Sequence, residues 1–218
     1  MSLGHASAPI SPPPSPTALY PPTLVIVSID TARIEAAVLE ILAAIGEDPA
    51  RPGLLRTPKR IAGAYGEFFS GLGVDPLDHL AASTDFIAES AETGELVLLR
   101  DIEFRSVCEH HLLPFIGVAH LAYLPATRIV GLGALVQVVE TLAARPQLQE
   151  RLTEEIADAL QAGLDARGVL VVLDATHGCV TARSSRQVRS TTVTLASRGV
   201  LSQAVERAEI MALIGVTP

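Results

Sequence analysis

The chain has no tryptophan, and only 5 phenylalanines and 3 tyrosines among its 218 residues. Aliphatic side chains and alanine must therefore fill the core, and at 49% apolar residues there are enough of them. It has 2 cysteines, too few for a disulfide framework, so a reducing, cytoplasmic setting is expected. It has no apolar run able to span a bilayer; the best stretches, Ile129–Val136 and Gly168–Leu173, are far too short. The N-terminus lacks a charged region followed by an apolar stretch, so no signal peptide is expected. Basic residues are in deficit, with 16 Lys and Arg against 24 Asp and Glu and a net charge of −8. That balance argues against a nucleic-acid binder. It also requires any site for an anionic substrate to be locally basic.

Three regions are expected. Residues 1–23 contain Pro9-Ile-Ser-Pro-Pro-Pro-Ser-Pro16 and read as a disordered Pro/Ser-rich tail. Residues 24–75 read as a helical region. Ile34, Ala37, Val38, Ile41, Leu42 and Ile45 recur at helical spacing after Asp30, with Gly46 as the stop. Thr57-Pro58 predicts a second helix, Thr57 as its cap, running to Gly71. Residues 76–218 read as the catalytic domain. Strands are expected over 95–107, 115–124, 168–175 and 187–196, and helices over 132–144, 149–164 and 204–214. Strand pair, helix pair, strand pair predicts an α+β fold: an antiparallel four-stranded sheet with a helix pair on one face and an N-terminal helical hairpin.

Both cysteines sit beside histidines, in Cys108-Glu-His-His111 and in His177-Gly-Cys179. Thiolate and imidazole are the preferred ligands of zinc, and three protein ligands leave a position for water. Cys108 and His111, three apart, reach one ion from a turn or helix start, which frees His110 for proton transfer. On a strand, His177 and Cys179 would share a face. Against this stands the ordinary reading, in which a lone Cys is a small buried hydrophobe and a lone His a satisfied polar residue. His5, His79 and His120 have no such company and read as structural or surface residues.

The run Cys108-Glu-His-His-Leu-Leu-Pro-Phe-Ile-Gly117 followed by Ala122-Tyr-Leu-Pro125 resembles a signature of the GTP cyclohydrolase I family. Arg145-Pro-Gln-Leu-Gln-Glu-Arg-Leu-Thr153 resembles a second signature, and Thr57-Pro-Lys-Arg60 with Phe69-Ser-Gly-Leu72 resembles the N-terminal helices. The match runs in family order from about residue 30 to 200. The resemblance implies a T-fold assembled into a homodecamer of two pentamers, with sites at subunit interfaces. It implies Zn2+ on Cys108, His111 and Cys179, with His110 and His177 as acid and base. It implies that Glu150, helped by Gln149, reads the guanine edge, and that Arg60 and Arg183 contact the triphosphate. The implied reaction opens the imidazole ring of GTP at C8, releasing formate and giving 7,8-dihydroneopterin triphosphate.

One segment departs. The family pattern Gly-Leu-Ser-Lys, with a basic residue three positions later, is here Gly131-Leu-Gly-Ala134 with Gln137, and Val118 stands where Lys is common. These losses fall on the triphosphate grip. Three readings follow: a GTP cyclohydrolase I with rearranged phosphate contacts, a divergent enzyme acting on a five-membered nitrogen heterocycle without a triphosphate, and a non-catalytic ring-forming binding module.

Overall fold

A computed structural model describes residues 28–81, 84–85, 95–183 and 187–215; the expected Pro/Ser-rich tail lies outside them. Helix α1 spans Thr31–Ala44. The Asp30 carboxylate caps it by accepting the Arg33 N–H at 3.0 Å. Gly46 follows at φ +85°, in the left-handed region that glycine enters without a side-chain clash. Helix α2 spans Thr57–Phe68 and starts where predicted, but Thr57 is not its cap. The capping position falls on Arg56, which makes no side-chain bond, and Thr57 is already helical. Pro58 sits in the first turn, where its missing N–H leaves no bond unmade.

The sheet is built from β2 (Val97–Cys108), β3 (Pro114–Leu124), β5 (Pro146–Gln147), β6 (Gly168–His177) and β7 (Thr192–Gly199), in the order β5-β2-β3-β6-β7. The four long strands are antiparallel as expected. The fifth was not expected: β5 runs parallel to the end of β2, pairing Val107 with Pro146 and Cys108 with Gln147. A separate two-residue ribbon joins β1 (Thr84–Asp85) to β4 (Arg128–Ile129). Strand β7 starts at Thr192 instead of Gln187, because the preceding residues turn, with the Ser190 N–H donating to the Gln187 carbonyl at 3.1 Å.

Helices α3 (Leu132–Ala143) and α4 (Gln149–Leu164) cover one face of the sheet. Leu135, Val139, Ile156 and Leu160 bury completely against Ala119, Leu121, Val171 and Leu173. Strand alternation sends Ala122, Leu170 and Val172 to the other face, where Leu201 and Ile210 of helix α6 (Ala204–Ile214) and the turn before it cover them. As the shortage of aromatics requires, aliphatic residues make most of this core; Tyr123 and Phe115 are its largest buried side chains. The helical hairpin is fastened at its far end. The Gly71 N–H donates to the Ala144 carbonyl at 3.0 Å, and the Arg145 guanidinium donates to the Gly71 and Val74 carbonyls. Among the described residues no helix is long and apolar enough to cross a membrane.

His79 and His120 are structural, as read from the sequence. His79 Nε2 lies 2.8 Å from Thr141 Oγ1. His120 is 5% exposed and faces a bulge in β2, where Asp101 adopts φ +59° and donates its N–H to His120 Nδ1 at 3.2 Å. Burial lowers the His120 pKa from its ordinary 6.5, against the opposing pull of Asp101 and Asp174 and with a smaller push from Arg100. The folded protein therefore holds His120 neutral at a pH where the unfolded chain protonates it. Its contribution is intact above about pH 6.5 and is lost as pH falls below that value. The drop in denaturant midpoint between pH 7 and pH 5 should be smaller in His120→Gln, which keeps an acceptor for Asp101, than in the parent. Equal drops would remove His120 as the source.

Candidate active site

Two segments far apart in sequence meet at one end of the sheet. Strand β2 ends on Cys108, and a tight turn follows: Leu112 donates its N–H to the Cys108 carbonyl at 2.8 Å, and Cys108 donates to the Leu113 carbonyl at 2.9 Å. Leu112 takes φ +52° to close that turn. Glu109, His110 and His111 occupy it and are exposed, while Cys108 is buried. Strand β6 arrives alongside, with His177 in register opposite Phe115. The strand then stops, and Gly178–Thr181 forms one helical turn, α5. Cys179 therefore sits on a helical turn and does not share a strand face with His177, which corrects the alternation expected from their spacing. Gly178 packs so tightly that a Cβ there would lie 2.9 Å from the Pro114 carbonyl and 3.5 Å from Leu113 Cβ. The turn bearing Cys108 and the turn bearing Cys179 are thus neighbours, and both cysteines are free.

Helix α4 brings in the third segment. Its first residue, Gln149, is 1% exposed, and its amide Nε2 lies 3.2 Å from the Leu173 carbonyl, 2.8 Å from the Thr192 carbonyl and 3.1 Å from Thr194 Oγ1. Gln149 Oε1 lies 2.6 Å from His177 Nε2. The His177 ring also stacks on Phe115, with centroids 4.8 Å apart and planes 2° from parallel. Burial lowers the His177 pKa, and the negative charge of Glu150 works against that shift, so Glu150 and His177 are electrostatic neighbours. Glu150 itself is exposed in the first turn of α4, where the helix dipole favours a carboxylate.

Residues that sequence reasoning passed over tie these segments together. Arg151 pairs with the Glu109 carboxylate and donates from Nε to Gln147 Oε1 at 3.2 Å. Gln147, 2% exposed, donates to Glu155 Oε2 at 2.8 Å and to the Leu142 carbonyl at 3.1 Å, and its own carbonyl accepts the Glu109 N–H at 3.1 Å. The signal for Arg151 and Gln147 was their place inside the Arg145–Thr153 signature. Arg183 follows α5 directly and is exposed. It makes no side-chain hydrogen bond or ion pair among the described residues. Arg60, exposed in the first turn of α2, likewise makes no side-chain hydrogen bond or ion pair among the described residues.

Among the described residues no three His, Cys, Asp or Glu side chains converge closely enough to hold a metal ion. The donor chemistry nevertheless fits zinc: two free thiols and an imidazole on adjoining turns, one thiol buried. A cavity of about 680 Å3 lies elsewhere, between Glu67 and Phe68 of α2, Glu103 and Arg105 of β2, Ile116 of β3 and Glu140 of α3.

The model of the GTP cyclohydrolase I family matches residues 34–215. The chain belongs to that family. It is 64% identical over 186 residues to the GTP cyclohydrolase 1 of Leifsonia xyli subsp. xyli, covering 85% of this chain and 96% of that one. It is 52% identical to the enzymes of that name from Rhodopirellula baltica, covering 85% of this chain and 80% of that one, and from Carboxydothermus hydrogenoformans, covering 86% and 96%. The α+β architecture, with its helix pair on one face of the antiparallel sheet, is accordingly that family's T-fold. The Arg151–Glu109 pair is partly exposed and contributes little by itself, but Arg151→Met also takes the donor from the buried Gln147 Oε1 and should cost about 1–3 kcal/mol of stability. Amide exchange at Glu109 should also speed up markedly, because its N–H is held by the element that Arg151 clamps. Unchanged exchange there would show that Arg151 does not restrain the turn.

Proposed function

We propose that this protein is a zinc-dependent GTP cyclohydrolase that opens the imidazole ring of GTP at C8. The observation that supports the reading is that the turn bearing Cys108, His110 and His111, the strand end bearing His177, the turn bearing Cys179 and the start of α4 adjoin at one end of the sheet. Cys108, His111 and Cys179 would hold the metal, and zinc bound there lowers the pKa of a coordinated water toward ~7. Glu150 suits the guanine edge, because one carboxylate accepts from both N1–H and the exocyclic amine. His110 and His177 are the acid and base: protonation of N7 makes C8 electrophilic, and the leaving nitrogens need protons as C8 departs. Overall GTP and one water give formate and 7,8-dihydroneopterin triphosphate. Arg183, and Arg60 from wherever assembly brings it, supply cations for the triphosphate.

The site is completed by assembly into a ring, a homodecamer. Its support is an unpaired sheet edge at each side: β7 has one partner strand, and β2 has none on its outer edge before Val107, among the described residues. Long open edges are surfaces that pair with another chain. The 680 Å3 cavity wraps the outer edge of β2 at Glu103–Arg105, where an added strand would lie. A divergent heterocycle hydrolase and a non-catalytic module are not favoured by relatives this similar.

Zinc-loaded protein given GTP should release one formate per product and elute in light scattering as a decamer. Cys108→Ser and Cys179→Ser should each lose bound zinc and turnover. A fully metallated protein that releases no formate from GTP would sink this reading. The phosphate grip gives a separate test. Gln137 is exposed, and Ala134 is half-buried with its side chain against the core, so an Arg fits at 137 directly and a Lys at 134 must carry its ammonium out to solvent on its long stem. Ala134→Lys with Gln137→Arg should lower the KM for GTP by roughly tenfold or more and leave any turnover of guanosine unchanged. No change in KM would mean that the triphosphate is held elsewhere.

A further inference from the structure

Gln149 has two amide hydrogens and a carbonyl oxygen, and every one of them is committed inside the protein. The carbonyls of Leu173 and Thr192 can only accept, so the amide nitrogen must face them, at 3.2 and 2.8 Å. That orientation leaves Oε1 toward His177, at 2.6 Å. An amide oxygen can only accept, so the proton in that bond belongs to His177 Nε2. The other end of the network is closed as well. Thr194 Oγ1, 3.1 Å from the Gln149 side-chain amide, lies 2.6 Å from Thr153 Oγ1, which donates to the main-chain carbonyl of Gln149 at 2.7 Å. The His177 ring is therefore restrained twice. Phe115 sets its plane by stacking, and Gln149 sets its rotation within that plane.

We infer that Gln149 is a positioning residue for His177: its buried amide fixes the Nε2–H tautomer and leaves His177 Nδ1 as the nitrogen with a free lone pair. The resemblance assigned Gln149 to guanine alongside Glu150. A side chain 1% exposed and bonded at both ends cannot also meet a base edge without breaking this network. The neighbouring Glu150, exposed and one residue on, keeps that task. Two adjacent residues of one signature thus divide the work, one facing substrate and one facing the acid/base group. An amide bonded to the imidazole in this way fixes tautomer and direction, which proton transfer needs as much as it needs the right pKa.

The inference rests on the reading of the site as a GTP cyclohydrolase, and the parent enzyme's formate release from GTP tests that reading by itself. Given an active parent, zinc-loaded decameric Gln149→Met should lose about 10- to 100-fold in kcat with the KM for GTP within about threefold. Thr194→Val leaves Gln149 whole and removes one of its three acceptors. It should move kcat in the same direction by a smaller factor, and it keeps the test alive if Gln149→Met does not assemble. In a His177→Ala background, adding Gln149→Met should change neither the residual formate release nor the calorimetric affinity for GTP. A raised KM with kcat unchanged, or a further loss of GTP affinity in the His177→Ala background, would overturn the inference and return Gln149 to the guanine pocket.

Discussion

The antiparallel pairing of β3 with β6 is the contact on which the rest of the structure depends. Its register runs unbroken from Phe115 opposite His177 to Leu124 opposite Gly168. At one end it sets His177 against Phe115 and brings the turn after Cys108 beside the turn that carries Cys179. Along its length it presents Ala119, Leu121, Val171 and Leu173 to the helix pair, and Ala122, Leu170 and Val172 to α6. A slip of one residue would exchange those two faces and put each buried set in the wrong place. The apolar core therefore specifies the register, and the register specifies where the chemistry sits.

Within that apolar setting the buried polar groups near the site are satisfied as one unit. Gln149, Thr153, Thr194 and His177 exchange hydrogen bonds with one another and with the backbone of β6 and β7. Such a network stabilises little beyond its own desolvation, but it admits one arrangement only, because each missing bond would leave a buried group unpaired. Among the described residues the buried side-chain atoms without a partner are Gln161 Oε1 and Asp174 Oδ1, and neither belongs to this network. Rigidity is concentrated where a histidine must point in one direction. The Glu109–Arg151–Gln147 chain extends the same restraint to the exposed turn that carries His110 and His111.

Charge poses the opposite problem. A chain of net charge −8 must hold a triphosphate, and at the start of α3 the cations of the family pattern are replaced by Ala134 and Gln137. Two exposed cations, Arg183 just after α5 and Arg60 on a helix whose main neighbour is α1, make no side-chain ion pair among the described residues. In an acidic protein, a few cations without carboxylate partners do more for an anionic ligand than a larger number already neutralised by ion pairs, as Arg198 is by Glu154 and Asp158.

Much of this was legible before any coordinates. The helical period of Ile34–Ile45, the aliphatic run Gly168–Leu173 and the Cys108–His111 and His177–Cys179 groupings are local patterns, and local patterns survive folding because backbone geometry alone dictates them. The α+β order and the helix pair followed from the same periods. What the sequence could not determine were contacts between residues distant along the chain. Strand β5 exists because Pro146 and Gln147 happen to pass the edge of β2, and no two-residue period announces that. Cys179 lies on a helical turn that packs, through Gly178, against Leu113 and Pro114, residues some sixty-five positions away in the chain. Gln149 and Glu150 look alike in sequence, two polar residues at a helix start, and only the packing of α4 on β6 and β7 buries one beneath His177 and leaves the other facing out. The sequence by itself determined which residues could carry the chemistry. The tertiary structure alone decided which of them lie exposed and which are buried and bonded to others, since burial and hydrogen-bond geometry are properties of the packed chain.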